Sequence, residues 1–332
     1  MCGIGGIALR PGATISAREI LARMVELQHH RGPDGNGILL RPDGGFGFCH
    51  NRLAILDLSD AGAQPMVSDD GRLTVTFNGE IYNWQELRRS LESEGVVFRT
   101  RTDTEVLLEA YRRHGVDVSA RLRGMFAFAI HDGRDGTIFC SRDRVGKKPF
   151  VYAETPAGVC FASEIPAVQV FPDCDSRFNY AAIAGMLLHN VRHIPDPYTA
   201  FAGIKRLRPG HSMLIREGRV ERIWRYWQPE ASNGAVSPGR LRALLEDAVS
   251  LRMVADVPVG ALLSGGVDSS AIVHMMQRRA SEPVRTYALG LDKDDEDLRR
   301  ARSFAAQVGV IHKEFYFEPR RQLEDFKRML EV

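Results

Sequence analysis

The sequence predicts an antiparallel, β-rich first half followed by a parallel α/β second half, and three observations carry that prediction. Between Phe46 and Ala162, short apolar runs alternate with Gly- and Asp-containing turns at hairpin spacing, which pairs neighbouring strands antiparallel. Beyond Pro229 to Gly239, a polar stretch that is the best linker candidate, strands and helical segments alternate as β-α-β-α-β, and that order builds a parallel sheet. The chain has 332 residues, 44% hydrophobic and 26% charged, enough for two domains with their own cores.

Composition also excludes several roles. The formal net charge is only +2 and the basic residues are spread along the chain, so neither nucleic acid nor a membrane surface is expected as the main partner. Five cysteines, Cys2, Cys49, Cys140, Cys160 and Cys174, form no CxxC pair, which argues against a disulfide framework and against a zinc site. A reducing compartment fits best. The chain start shows no basic leader with a long apolar core, and no apolar run reaches the roughly 18 residues of a membrane span, so a cytoplasmic protein is expected.

Taken in order, Ile4 to Leu9 reads as a strand. Ser16 and Glu19 form a capping-box pattern ahead of a helix carrying Ile20, Leu21, Met24, Val25 and Leu27, up to His29. The polar loop His29 to Gly35 holds paired histidines, but adjacent positions do not converge on one metal ion without further ligands. Strands are expected at Phe46–His50, Leu53–Leu56 and Leu73–Phe77. Asn83 is placed to cap a helix Trp84–Ser93, and Thr102 to Glu105 opens another through His114. Strands return at Met125–His131, Thr137–Arg142, Phe150–Ala153 and Gly158–Ala162, and the charged loop Arg142 to Pro149 reads alone as a solvated turn. After the linker, Ser237 with Pro238 starts a helix. Pro258–Leu263 is then a strand, Ser264–Ser270 a loop, Ala271–Arg279 a helix, Val284–Leu291 a strand, Leu298–Val308 a helix and Ile311–Phe317 a strand.

Three stretches carry chemistry. Loss of Met1 would give Cys2 a thiol and a free α-amine on one carbon, with pKa values of about 8.5 and about 7.7 to 8.0 that let them exchange a proton. That is a nucleophile with its own base, although a cysteine there is equally read as a small buried side chain. Asn78-Gly79 is either a hairpin turn or an oxyanion hole built from a carboxamide and a backbone N–H. Ser264-Gly265-Gly266-Val267-Asp268-Ser269-Ser270, between a strand and a helix N-terminus, suits an anion, and lacks the Lys of a kinase-type phosphate loop.

SGGVDSS resembles the loop of enzymes that cleave ATP between its α and β phosphates to adenylate a substrate. Together with the early Cys-Gly and HRGPDG, RLAILD, NGEIYN, GMFAFAI, RDRVGKKPF and FASEI in that order, it makes the whole chain similar to the glutamine-hydrolysing asparagine synthetases. The resemblance implies an N-terminal nucleophile hydrolase fold, an αββα sandwich of antiparallel sheets, followed by a doubly wound parallel α/β domain. It implies a glutaminase domain over 1–205, a hairpin and linker over 206–236, and the start of an ATP-pyrophosphatase-type domain over 237–332. Cys2 matches the nucleophile that forms a thioester with glutamine and releases ammonia, and Asn78 and Gly79 match the oxyanion hole. Arg52 matches the residue that holds the glutamine α-carboxylate, beside Leu53, Ala54, Ile55 and Leu56, while Glu80 and Asp103 match the carboxylates that hold its α-ammonium. Leu263, Ser264, Gly265, Gly266, Val267, Asp268, Ser269 and Ser270 match the ATP loop, with Leu289 near the adenine. The family uses Mg2+ carried by ATP rather than a protein metal site, and passes ammonia to a β-aspartyl-AMP.

Two departures stand out. A family member continues well past Val332, with a second Gly-rich motif of the SGEGxDE type and a mostly helical end. Three parallel strands alone leave the second domain incomplete, so glutamine hydrolysis is expected to survive while amide synthesis by this chain alone is not. The open sheet edge leaves room for a homodimer or a completing chain. Pro166 stands where the family usually has Lys. A stand-alone glutaminase, an amidotransferase for another carboxylate than aspartate, and a non-enzymatic glutamine- or ATP-binding remnant are the alternatives.

Overall fold

A computed structural model describes residues 1–231, 234–292, 294–316, 324 and 326–329. Part of the expected linker, Ser232 and Asn233, and the expected strand end at Phe317 lie outside the described residues. The chain divides into two compact units, Met1–Glu230 and Ala231–Val332.

The first unit opens with β1 (Gly3–Leu9), α1 (Ala17–Leu27), β2 (Gly35–Leu40), β3 (Phe46–Arg52), β4 (Met66–Val67) and β5 (Leu73–Ile81). Next come α2 (Trp84–Ser93), α3 (Asp103–His114), α4 (Val118–Arg121), β6 (Gly124–Asp132), β7 (Thr137–Arg142), β8 (Val151–Thr155) and β9 (Gly158–Ala162). It closes with α5 (Ile165–Gln169), α6 (Tyr180–Leu188), β10 (Ile204–Arg206), β11 (His211–Arg216) and β12 (Arg219–Arg225). One six-stranded sheet runs β10-β8-β9-β1-β3-β2 and the other β12-β11-β7-β6-β5-β4, and their neighbouring strands pair antiparallel.

Side-chain alternation sorts these sheets into four layers. Along β6, Ala127 and Ala129 join Phe48, Phe150, Phe161 and Met213 in the apolar layer between the sheets. Phe126, Phe128 and Ile130 of the same strand face the other way, into a cluster with Leu107, Leu108 and Tyr111 of α3. On the far side of the first sheet, Ile7, Cys49 and Cys160 pack with Leu21 and Met24 of α1 and Val168 of α5. The result is α1 and α5, sheet, sheet, α3: the expected αββα sandwich.

Several local expectations change. Leu53–Leu56 is not a strand, because its backbone donors go to side chains instead of a neighbouring strand: Leu53 N–H to Cys2 Sγ and Ala54 N–H to Asp34 Oδ2. Asn78-Gly79 is no hairpin turn. β5 runs straight through it, opposite Ala127 and Phe126 of β6. Among the described residues neither Ser16 nor Asn83 gives its side chain to the helix it precedes. Asn83 instead bridges the Arg121 carbonyl and the Arg123 N–H. Thr102 does cap α3, accepting from Glu105 N–H at 3.1 Å. α1 stops at Leu27, followed by a 3-10 turn over His29–Arg31. β2, β4, β10, α4 and α6 are additional to the elements the sequence predicts. The hairpin expected within 206–236 is β11–β12, and β11 joins it to the second sheet through β7.

The loop after β7 is the largest departure from the solvated turn. Asp143 is fully buried, and its carboxylate accepts backbone N–H bonds from Phe126, Val145, Lys147 and Lys148 at 2.9 to 3.2 Å. A carboxylate can serve this many donors where water cannot reach.

The second unit contains α7 (Pro238–Leu251), β13 (Gly260–Leu262), α8 (Val267–Arg279), β14 (Arg285–Gly290), α9 (Glu296–Val308) and β15 (Ile311–Tyr316). The strands are parallel in the order β13-β14-β15. Leu263, Val273, Ala288, Leu298 and Ala301 pack the strands against α8 and α9. Helix α8 begins at Val267, four residues before the expected start, so Val267 to Ser270 of the Gly-Ser loop are its first turn.

Replacing Asp143 by Ala strands several buried donors, and the variant is expected to lose about 3 kcal/mol or more of stability. Urea unfolding checks this; a loss below about 1 kcal/mol would mean that water replaces the carboxylate.

Candidate active site

Cys2 directly precedes β1, the strand held on both sides by β3 and β9. Its Sγ accepts the Leu53 N–H at 3.3 Å and lies 3.6 Å from the Leu53 carbonyl, to which the thiol donates. Burial pushes the thiol pKa up, opposed by the Leu53 N–H bond and the nearby chain amine. Burial also lowers the pKa of the Met1 α-amine, and the charges of Arg31 and Lys148 add to that. Both shifts disfavour charge, on the amine and on the thiol alike.

A cavity of about 240 Å³ opens at Cys2. Its walls include Met1, Arg52, Leu53, Ile55, Leu56, Asn78, Gly79, Glu80 and Asp103, all but one of the residues expected in the first unit. Ala54 is the exception; its N–H is tied to Asp34.

Each wall residue is placed by its element. Asn78 is buried in β5 and its Nδ2 has no hydrogen-bond partner among the described residues, so a donor is held unspent at the cavity. Gly79 has to be glycine, since a Cβ there would fall 2.3 Å from the Met125 carbonyl oxygen on β6. Arg52 at the end of β3 donates to the carbonyls of Ser59 at 2.8 Å, Leu56 at 3.5 Å and Asp57. Asp103 is the first residue of α3, and its Oδ2 accepts the Ile81 N–H at 2.9 Å. Burial pushes the Asp103 pKa up to about 7; the Ile81 bond opposes this and the Glu80 charge adds to it.

Sequence reasoning missed several wall residues, Lys148 and Gln64 among them. Lys148 is 5% exposed, with its pKa lowered by burial and held up in part by Glu80 and Cys2. Nothing in a run as charged as RDRVGKK marks one lysine as buried. Gln64 accepts the Phe77 N–H at 2.7 Å and donates to Thr104 at 3.2 Å, linking β5 to the first turn of α3. A Gln before Pro reads only as part of a turn.

A thiol, an unspent carboxamide donor, a guanidinium and a buried carboxylate around one small cavity can attack a carbonyl carbon in a ligand that carries both an anionic and a cationic group.

In the second unit the Gly-Ser loop joins β13 to α8. Gly265 adopts φ +73°, and Gly266 precedes the first helical residue. Ser264 and Ser269 hydroxyls lie 3.0 Å apart, and Ser269 Oγ also accepts the Ser264 N–H and donates to the Gly266 carbonyl. Leu263 is buried and its N–H donates to the Tyr287 carbonyl. Val267, Asp268, Ser269 and Ser270 form the first turn of α8, with Val267 exposed. Leu289 is exposed on β14, two residues past its last rung with β13, at the end of the sheet where the loop leaves. That end of a parallel sheet is where α/β domains bind ligands. Among the described residues no group of three His, Cys, Asp or Glu side chains converges as a metal site.

Residues 1–227 match the glutamine amidotransferase domain family and residues 240–332 the asparagine synthase family. An asparagine synthetase [glutamine-hydrolyzing] 3 of Bacillus subtilis (strain 168) is 34% identical over 89% of this chain and 49% of its own length. A putative asparagine synthetase [glutamine-hydrolyzing] 2 of Methanocaldococcus jannaschii is 34% identical over 100% of this chain and 67% of its own. The chain thus spans about half the length of the Bacillus relative and two thirds of the other. Among solved structures, the glutamine phosphoribosylpyrophosphate amidotransferase of B. subtilis superposes with a TM-score of 0.52 over 98% of this chain and 70% of that one, at 17% identity, a likeness of fold alone. By sequence over its whole length, the chain belongs to the glutamine-hydrolysing asparagine synthetase family.

Proposed function

We propose that this chain hydrolyses glutamine at Cys2 and binds ATP at the loop 264–270, as parts of a synthesis of asparagine from aspartate. The observation that carries the first half is the convergence of Cys2, Arg52, Asn78, Gly79 and Asp103 on one cavity. Removal of Met1 leaves the α-amine on Cys2 itself, within reach of its own thiol.

In this reading Arg52 takes the glutamine α-carboxylate, and Asp103 with Glu80 takes the α-ammonium. The leucines and Ile55 flank the chain between. The thiol gives its proton to the amine as Sγ attacks the side-chain carbonyl carbon. Asn78 Nδ2 and the Gly79 N–H receive the developing oxyanion. The amine returns the proton to the leaving nitrogen, ammonia departs and a thioester remains. Water then cleaves the thioester, glutamate leaves, and the thiol is restored.

At the second site, the open N–H groups of the α8 first turn, the small Gly265 and Gly266, and the hydroxyls of Ser264, Ser269 and Ser270 suit phosphate oxygens, with Leu263 packed beneath the loop and Leu289 toward the base. Mg2+ fits as an ion carried by the phosphates. ATP supplies the leaving group that activates the aspartate carboxylate. Free thiols, with Cys49, Cys140 and Cys160 buried, suit a reducing, cytoplasmic setting.

Glutamine-dependent release of ammonia and glutamate tests the reading. Cys2→Ala is expected to abolish it, and Asn78→Ala to lower kcat by about a hundred- to a thousandfold. Hydrolysis that survives Cys2→Ala would sink the proposal. Pyrophosphate release with ATP and aspartate, added to the same assay, reports whether the chain also activates the acceptor.

Asp103 sets a pH signature. Its pKa near 7 means that the ammonium partner is neutralised below that pH, so kcat/KM for glutamine falls as pH drops through about 7. The linkage to stability runs the other way. The folded pKa lies above the ordinary carboxylate value, so the ligand-free protein loses stability as pH rises from about 4 to about 7. Asp103→Asn is expected to unfold at a higher temperature than wild type at pH 8 and to raise KM at least about tenfold. A variant no more stable than wild type at pH 8 would show that the carboxylate is not paying this cost.

A further inference from the structure

Cys2 is held through its carbonyl by a side chain that is itself held. Arg31 Nε–H donates to the Cys2 carbonyl at 3.0 Å, and the Arg31 side chain is 9% exposed. It passes beside Gly3, where an added Cβ would come within 3.5 Å of Arg31 Cδ. Glu164 grips the far end. Its Oε1 accepts from Arg31 Nη1 at 2.7 Å, and His30 Nε2 lies 3.1 Å from the same carboxylate. The remaining terminal nitrogen, Nη2, is buried with no partner among the described residues, so Glu164 is the only side chain seen to orient the guanidinium plane there.

Glu164 is anchored to the nucleophile strand by its neighbour. Ser163 Oγ accepts the Ile4 N–H at 3.0 Å, Ser163 N–H donates to the Ile4 carbonyl at 2.9 Å, and the same N–H lies 3.2 Å from Gln28 Oε1. One dipeptide therefore ties down the strand that begins at the nucleophile and the arginine that holds the nucleophile's carbonyl. Neither Glu164 nor Arg31 is among the residues lining the cavity.

A nucleophile at the start of a chain has no peptide behind it. Once its amine is committed to proton transfer, its carbonyl is the remaining polar handle on its own backbone. Fixing that carbonyl fixes where Sγ stands relative to Asn78 and Gly79. We propose that Glu164 is a positioning residue for Cys2, acting only through Arg31; this rests on the reading of Cys2 as the nucleophile. Glu164 touches no substrate, and its task is to keep the guanidinium in the one orientation that reaches the Cys2 carbonyl.

A double-mutant cycle on the full chain tests this with Arg31→Ala, Glu164→Ala and the pair, reading ammonia release at saturating and limiting glutamine. Glu164→Ala is expected to lower kcat by about tenfold or more, since small misplacements at a reacting atom cost that much, while KM stays within about twofold. In the Arg31→Ala background the same substitution is expected to change kcat by less than about twofold. Glu164→Asp, which keeps the charge, is expected to recover part of the loss. Should Glu164→Ala fail to fold, Glu164→Gln serves in the cycle, since it keeps the shape and removes the charge. Additive losses in the double variant, or a rise in KM with kcat unchanged, would overturn the role of Glu164 while Cys2 still acts as nucleophile. Hydrolysis that persists in Cys2→Ala would overturn the nucleophile reading, and with it this one.

Discussion

A residue at the head of a strand has to be held from the side, and the surroundings of Cys2 are organised by that constraint. β1 lies between β3 and β9, so Gly3 and the residues after it are fixed by two ladders. Ser163 extends the β9 side by exchanging backbone hydrogen bonds with Ile4. On the other side, Leu53 gives up strand pairing so that its N–H can meet Cys2 Sγ. The segment that lost its expected strand character is the one that receives the thiol.

Burial makes the site's charges unequal. The layer between the sheets is filled by aromatic and small side chains, and the cavity beside Cys2 is walled in part by buried residues such as Asn78 and Asp103. A thiolate and an ionised Asp103 are both disfavoured there by burial, while Lys148 is pressed toward neutrality. Each of these groups gains when a ligand or a proton transfer supplies the charge it lacks. The site is least comfortable when empty.

Much of this was legible in the chain. Strands β6 to β9 announce themselves because their period-2 runs are bounded by turns, and Thr102 with Glu105 marks the start of α3. β2 was not legible, since Gly35 and Gly37 lower strand propensity and only pairing with β3 along its whole length supports it. Asn78-Gly79 carries the strongest short hairpin signal, yet β6 approaches too closely for any other residue at 79, and that approach is a tertiary fact. The residues around the cavity came from motif order rather than from periodicity. Lys148 and Gln64 escaped because each sits in a stretch whose local reading, solvated charge or turn, is overridden by partners distant in sequence, and Ala54 was grouped with the wall although its N–H is spent on Asp34.

The engagement of Arg52 has a consequence for recognition. Its guanidinium is already fastened to the carbonyls of Leu56, Asp57 and Ser59, so the long side chain has surrendered its rotamer freedom on folding. A carboxylate arriving beside it meets a cation that need not be ordered, and the side-chain entropy usually lost in forming such a pair has already been given up. A lysine at this position would keep the charge but lack the planar fork that reaches several carbonyls at once, and the loop 53–59 would lose its frame. Under the proposed role of Arg52, selectivity for one small molecule is written partly into the folding of a loop.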